Sequence, residues 1–139
     1  MAANTAPIYV LTPKVQWDFI TAANTALDGT GTVATVYTAG SNGAYVTNII
    51  VKSNTTTATS AAGALRLFIN NGSTNATPAN NTLIREFVLT TVTASDTTAT
   101  LNWEFPINFM LPAGYKIFAT IATVAGSSGF ALTAIGGDY

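Results

Sequence analysis

Leu101-Asn102-Trp103-Glu104-Phe105-Pro106-Ile107-Asn108-Phe109-Met110-Leu111 decides the fold. Its odd positions are all large and apolar, and its even positions are Asn102, Glu104, Pro106, Asn108 and Met110. Side chains alternate across a strand with a period of two, so this stretch predicts a β-strand with one buried face and one wet face. Burying six such side chains contributes on the order of 10 kcal/mol gross before ordering entropy is subtracted. The rest of the chain must supply a second apolar surface for that face.

Outward from this strand the same period recurs. Val15, Trp17, Phe19 and Thr21 share one face of a strand. Thr32 to Thr38 is β-branched, and Ala44 to Ser53 alternates Tyr45, Thr47, Ile49 and Val51 against Val46, Asn48, Ile50 and Lys52. Leu65, Leu67 and Ile69 share a face, and Leu83–Leu89, Tyr115–Ala122 and Phe130–Ile135 complete about eight strands. Gly40-Ser41-Asn42-Gly43 carries Asn-Gly between two such runs, which predicts a hairpin. Polar loops are expected at 54–62, 73–81 and 90–99. The expected fold is an all-β, single-domain sandwich of about eight antiparallel strands. Loops of this length favour a jelly roll first and an immunoglobulin-like sandwich second.

Pro7 and Pro13 bracket Ile8, Tyr9, Val10 and Leu11, so residues 1–13 are read as an extended arm and 14–139 as the sandwich. Met1 to Pro7 shows neither a basic region nor a long apolar one, so no leader is expected; no window is long enough to span a membrane.

Composition narrows the function classes. Only 8% of the 139 residues are charged while 48% are hydrophobic, which excludes a disordered chain. Thr and Asn make up about a quarter of the sequence, as suits strands and turns. A net charge of -1 with five basic residues argues against nucleic acid. Histidine and cysteine are both absent, which removes the commonest general base, metal ligand and thiol nucleophile, and an enzyme is not expected. A glycosidase needs only two carboxylates, and Asp18, Asp28, Glu86, Asp96, Glu104 and Asp138 are the candidates. Glu86 and Glu104 read more simply as outward residues on strands. Asp28-Gly29-Thr30-Gly31 lacks the further carboxylates of a calcium loop, so no metal or cofactor is expected. The sequons at Asn54, Asn71, Asn75 and Asn80 read as by-products of Asn/Thr-rich loops. Trp17, Trp103, Tyr37, Tyr45 and Tyr115 are candidates for a sugar groove, with Trp103 assigned to the core.

Four short pieces carry a resemblance: Thr5-Ala6-Pro7-Ile8-Tyr9, Phe68-Ile69-Asn70-Asn71-Gly72, Leu111-Pro112-Ala113-Gly114-Tyr115-Lys116 and Gly136-Gly137-Asp138-Tyr139. With them the chain resembles small virion proteins of tailed bacteriophages, above all the jelly-roll capsid cement (decoration) proteins such as that of the Bordetella phages. The resemblance implies a structural protein on the outer surface of an icosahedral head. There it would bridge units of the major capsid protein, contacting the shell and its own copies as a dimer or trimer. The contact residues expected on this reading are Pro7, Ile8, Tyr9, Val10, Leu11, Pro13, Trp17 and Tyr139. The alternative is a phage tail or receptor-binding module that recognises a glycan through exposed aromatics.

Overall fold

The computed structural model describes the chain apart from residues 1–8, 54–58, 61, 94, 96 and 125–128, and describes 59–60 as backbone. The strands are β1 (Thr12–Ile20), β2 (Ala34–Thr38), β3 (Ala44–Ser53), β4 (Thr59–Ser60), β5 (Gly63–Asn70), β6 (Asn81–Leu89), β7 (Val92–Thr93), β8 (Asn102–Leu111), β9 (Lys116–Ile121) and β10 (Phe130–Asp138). A single 3-10 turn at Pro78–Asn80 is the only helical element among the described residues.

Two four-stranded antiparallel sheets form, one in the order β1-β10-β3-β8 and the other β2-β9-β5-β6. Set aside the small β4-β7 pair. Among the eight long strands the first then pairs with the last, the second with the seventh, the third with the sixth and the fourth with the fifth. That nested pairing is a ribbon rolled up on itself, a jelly-roll-like β-sandwich. β1 opens at Thr12, so Thr12 and Pro13, assigned from sequence to the arm, lie in the sandwich, where they pair with Asp138 and Gly137.

Between the sheets lie Val36, Tyr37, Val46, Ile49, Leu65, Leu67, Ile117 and Leu132, all fully buried. The stretch that decided the fold keeps its alternation in β8. Ile107 and Leu111 are buried, Trp103, Phe105 and Phe109 pack partly buried against the core, and Glu104, Asn108 and Met110 face solvent. Trp103 meets Phe130 edge to face at 6.2 Å, and Phe105 stacks on Phe87 of β6 at 3.6 Å, closing one corner of the sandwich. Leu101 lies before the strand and is exposed.

Alternation breaks in β3, where Val46, Ile49 and Val51 are all buried. Two residue steps on β10, from Ala134 to Gly136, match three on β3 and four on β8, from Phe105 to Phe109. Each bulge lengthens the next strand, which bends the sheet and exchanges the buried and exposed faces along β3. Asn108 supplies one of these irregularities with φ 54°, a left-handed conformation that asparagine tolerates, and it accepts the Tyr45 hydroxyl at 3.1 Å.

The Asn42-Gly43 hairpin is not formed. Gly40 and Gly43 do make a tight turn, with Gly43 at φ 94°, but β2 pairs with β9 and β3 with β10 and β8. The turn carries the chain from one sheet to the other. Likewise, β4 and β7 lie within stretches read from sequence as loops, and they pair with each other.

The outer faces of the two sheets differ. On β5 and β9 the cross-strand partners Phe68 and Phe118 point away from the core and are nevertheless buried. Residues 21–33 fold over them: a Cβ at Gly29 would meet Phe68 Cδ1 at 3.1 Å and Asn81 Cβ at 2.9 Å. Asparagines bind this cover in place. Asn24 donates to Thr30 O and Thr32 O, Asn75 to Gly29 O and Gly31 O, Asn81 to Asp28 O and Asn75 O, and Asn70 to Asn81 Oδ1. The outer face of the β1-β10-β3-β8 sheet has no such cover of described loops, and that difference places the candidate site.

Candidate functional site

β1 turns its polarity inside out. Lys14, Gln16 and Asp18 point toward the sandwich, while Val15, Trp17 and Phe19 face outward. The polar side chains bond the backbone of β2, the edge strand of the opposite sheet. Asp18 Oδ2 accepts the Thr35 N–H at 2.7 Å, Gln16 Oε1 accepts the Thr38 N–H at 2.6 Å, and Lys14 Nζ donates to Thr38 O at 2.7 Å. An open strand edge invites pairing with another chain, and here side chains occupy it. The consequence is a row of apolar side chains on the surface, with Leu11 78% and Trp17 65% exposed.

Register arranges the bare face in four rows. Pro13 lies beside Gly137, Tyr45 and Met110; Val15 beside Ile135, Asn48 and Pro106; Trp17 beside Thr133, Ile50 and Glu104; Phe19 beside Ala131, Lys52 and Asn102. Lys52 and Glu104 are the charged members of these rows. Lys52 donates to Thr100 O, and Glu104 accepts from Asn48 Nδ2.

At the first row Tyr9 and Val10 meet Tyr139. Tyr9, Val10, Tyr45, Met110 and Tyr139 surround a surface hollow of about 280 Å³. Tyr9 is 71% and Met110 74% exposed. Val10 lies over Gly137, where a Cβ would fall 2.1 Å from Val10 Cγ1, so glycine makes room for Val10. The tail is pinned by Tyr139 N–H to Gly43 O at 3.2 Å and Asn42 Nδ2 to Tyr139 O at 3.3 Å. Leu11 N–H continues the β1-β10 ladder to Asp138 O at 3.0 Å.

Of the contact residues expected from sequence, Tyr9, Val10, Leu11, Pro13 and Tyr139 gather at this end. Trp17 lies on the same face but six residues beyond Leu11, roughly 20 Å along the strand. Pro7 and Ile8 lie outside the described residues. Met110 and Tyr45 complete the hollow; Met110 was not anticipated, and Tyr45 was anticipated only as a sugar-groove aromatic. Pairing of Met110 with Tyr45 and of Tyr45 with Gly137 is a tertiary fact with no short-range signal.

Beneath the hollow a polar cluster fixes the tail. Asp138 Oδ2 pairs with Lys14 Nζ at 2.9 Å, and Asp138 Oδ1 accepts from Gly40 N–H at 3.2 Å and Tyr37 Oη at 3.3 Å. Burial pushes the Asp138 pKa up. The hydrogen bonds from Lys14 and Gly40, the Lys14 charge and the Tyr37 hydroxyl outweigh it, so the net shift is downward. Burial first, and then the Asp138 charge, raises the Tyr37 pKa. Lys14 Nζ also lies 5.2 Å from the Tyr37 ring centre.

Other chemistry considered from sequence is not assembled. Glu86 pairs with Arg66 at 2.9 Å on the outer side of one sheet, and Glu104 lies on the outer side of the other. The sandwich thickness separates them, so they do not flank one glycosidic bond. Asp28 Oδ1 is occupied by the Thr30 N–H and hydroxyl, whose hydrogen bonds lower its pKa. Among the described residues no group of His, Cys, Asp or Glu is placed to hold a metal ion, and no helix is long and apolar enough to cross a membrane. The sequon asparagines 71, 75 and 80 use their carboxamides within the loops, and Asn54 lies outside the described residues. No family model and no curated protein matches this sequence.

Proposed function

We propose that the chain is a structural docking protein, a capsid cement protein on the outside of a tailed-phage head. It seats on the major capsid protein through the cluster of Tyr9, Leu11, Met110 and Tyr139, works without catalysis, and reaches its own copies across the same assembly. The observation that carries this reading is the convergence of Tyr9, Leu11 and Met110, all more than two-thirds exposed, around the Tyr139 tail. Exposed apolar side chains gathered in one patch mark an interaction surface far better than scattered ones do. The rigid, low-charge body behind it suits close packing.

Heads assembled without this chain provide the test, by co-sedimentation with the purified protein. The double variant Tyr9→Ser, Met110→Lys should keep its fold and lose at least about tenfold in affinity, the equivalent of ~1.4 kcal/mol. Undiminished binding by that variant would refute the contact surface.

A further inference from the structure

Trp17 stands apart from the end cluster and has surroundings of its own. Its indole is anchored on a strand whose nine residues all pair with β10, and it is flanked on the same face by Val15 and Phe19. Beside it, around the edge of β1, is a hollow of about 380 Å³ lined by Val15, Gln16, Trp17, Thr35 and Thr38. That volume lies within the range of small-molecule sites.

The rim is polar and held in place. Gln16 Oε1 accepts the Thr38 N–H, which fixes the carboxamide, and its NH2 makes no hydrogen bond among the described residues. The hydroxyls of Thr35 and Thr38 make no hydrogen bond among the described residues, while their backbone N–H groups are held by Asp18 and Gln16. The described residues that line the hollow carry no ionisable side chain. Lys14 and Asp18, the charged residues on the same strand, are committed to Asp138 and Thr38 O and to Thr35 N–H.

We propose that this shelf binds a neutral saccharide. A flat, exposed indole covers the C–H face of a pyranose ring, and two hydroxyls and an amide at its edge match the ring's equatorial hydroxyls as donors and acceptors. A protein partner would bury these polar groups against apolar surface at a cost, whereas a polyhydroxylated ring satisfies them. The absence of a free cation among the described residues of the rim selects against sialic acids and sugar phosphates. Four residues, roughly 13 Å, separate Trp17 from Pro13, so the shelf and the end cluster can be occupied together. The proposal does not depend on the cement reading.

The test is an NMR titration of the intact chain with maltose, cellobiose, lactose and N,N′-diacetylchitobiose, following the indole N–H signals of Trp17 and Trp103. Saturable movement of the Trp17 signal with at least one sugar, at a Kd near the millimolar range, is expected, with Trp103 unmoved. Trp17→Ala should abolish binding, Trp17→Phe should retain it in weakened form, and Thr35→Val with Thr38→Val should weaken it about fivefold per hydroxyl with an unchanged melting temperature. No saturable shift with any of the four sugars, or equal binding by Trp17→Ala, would overturn the proposal.

Discussion

The carboxylate of Asp18 accepts the backbone N–H of Thr35 at 2.7 Å, joining the edge strand of one sheet to the edge strand of the other. Removing the acceptor leaves a backbone donor without its partner and cuts one of three side-chain links across this corner. Asp18→Ala should destabilise the fold by about 1–3 kcal/mol, and Asp18→Asn by less because an acceptor oxygen remains. Urea denaturation measures both.

The Lys14-Asp138-Tyr37 cluster makes stability depend on pH at both ends. The pKa of Asp138 is lower in the fold than its ordinary value of 3.8, so its contribution is present above that value and is lost as pH falls through the folded one. Tyr37 is raised above 10.0, so its contribution is present below that value and is lost as pH rises from there toward the folded one. Midpoints of urea unfolding should therefore fall below about pH 3.8 and above about pH 10. Asp138→Asn should flatten the acid limb.

Asn81 anchors the cover over Phe68 and Phe118: its amide donates to Asp28 O and Asn75 O, with a longer bond to Thr77 O at 3.5 Å, and its Oδ1 accepts from Asn70 Nδ2. Asn70 is fully buried, so losing its acceptor costs desolvation as well as the bond. Asn81→Ala should destabilise by roughly 2 kcal/mol or more and should increase amide exchange in residues 24–32.

The two tryptophans and their neighbours should separate stability from surface. Trp17→Ala removes an exposed side chain and should stay within about 0.5 kcal/mol of the parent. Phe130→Ala empties a fully buried position against Trp103 and should cost about 3–5 kcal/mol. Thermal unfolding of the two variants side by side distinguishes them.

The all-β class, the eight long strands and the alternation of β8 were legible because a period of two is written locally in the residues. What local patterning does not carry is which side of a strand faces inward. In β1 the apolar set Val15, Trp17 and Phe19 lies outside because Lys14, Gln16 and Asp18 find partners on β2, a pairing across 17 to 24 residues. In β3 the bulge at Thr47 moves the buried set from Val46 to Ile49, and nothing between those residues signals it. Asn42-Gly43 does form a tight turn, but a turn alone does not decide whether its strands pair or part. Of the candidate surface, Tyr9, Val10 and Leu11 were singled out from the sequence by the flanking prolines, although Pro13 lies in β1 and Pro7 lies outside the described residues, whereas Met110 and Tyr45 come to them only through the jelly-roll register.

The most direct test of the docking account is the copy number of this chain in purified virions, measured by quantitative mass spectrometry against the major shell subunit. A shell-wide cement protein should be present in numbers comparable to that subunit, and the Tyr9→Ser, Met110→Lys variant should be depleted from the particles at least about tenfold. A handful of copies per particle, or none, would contradict the account.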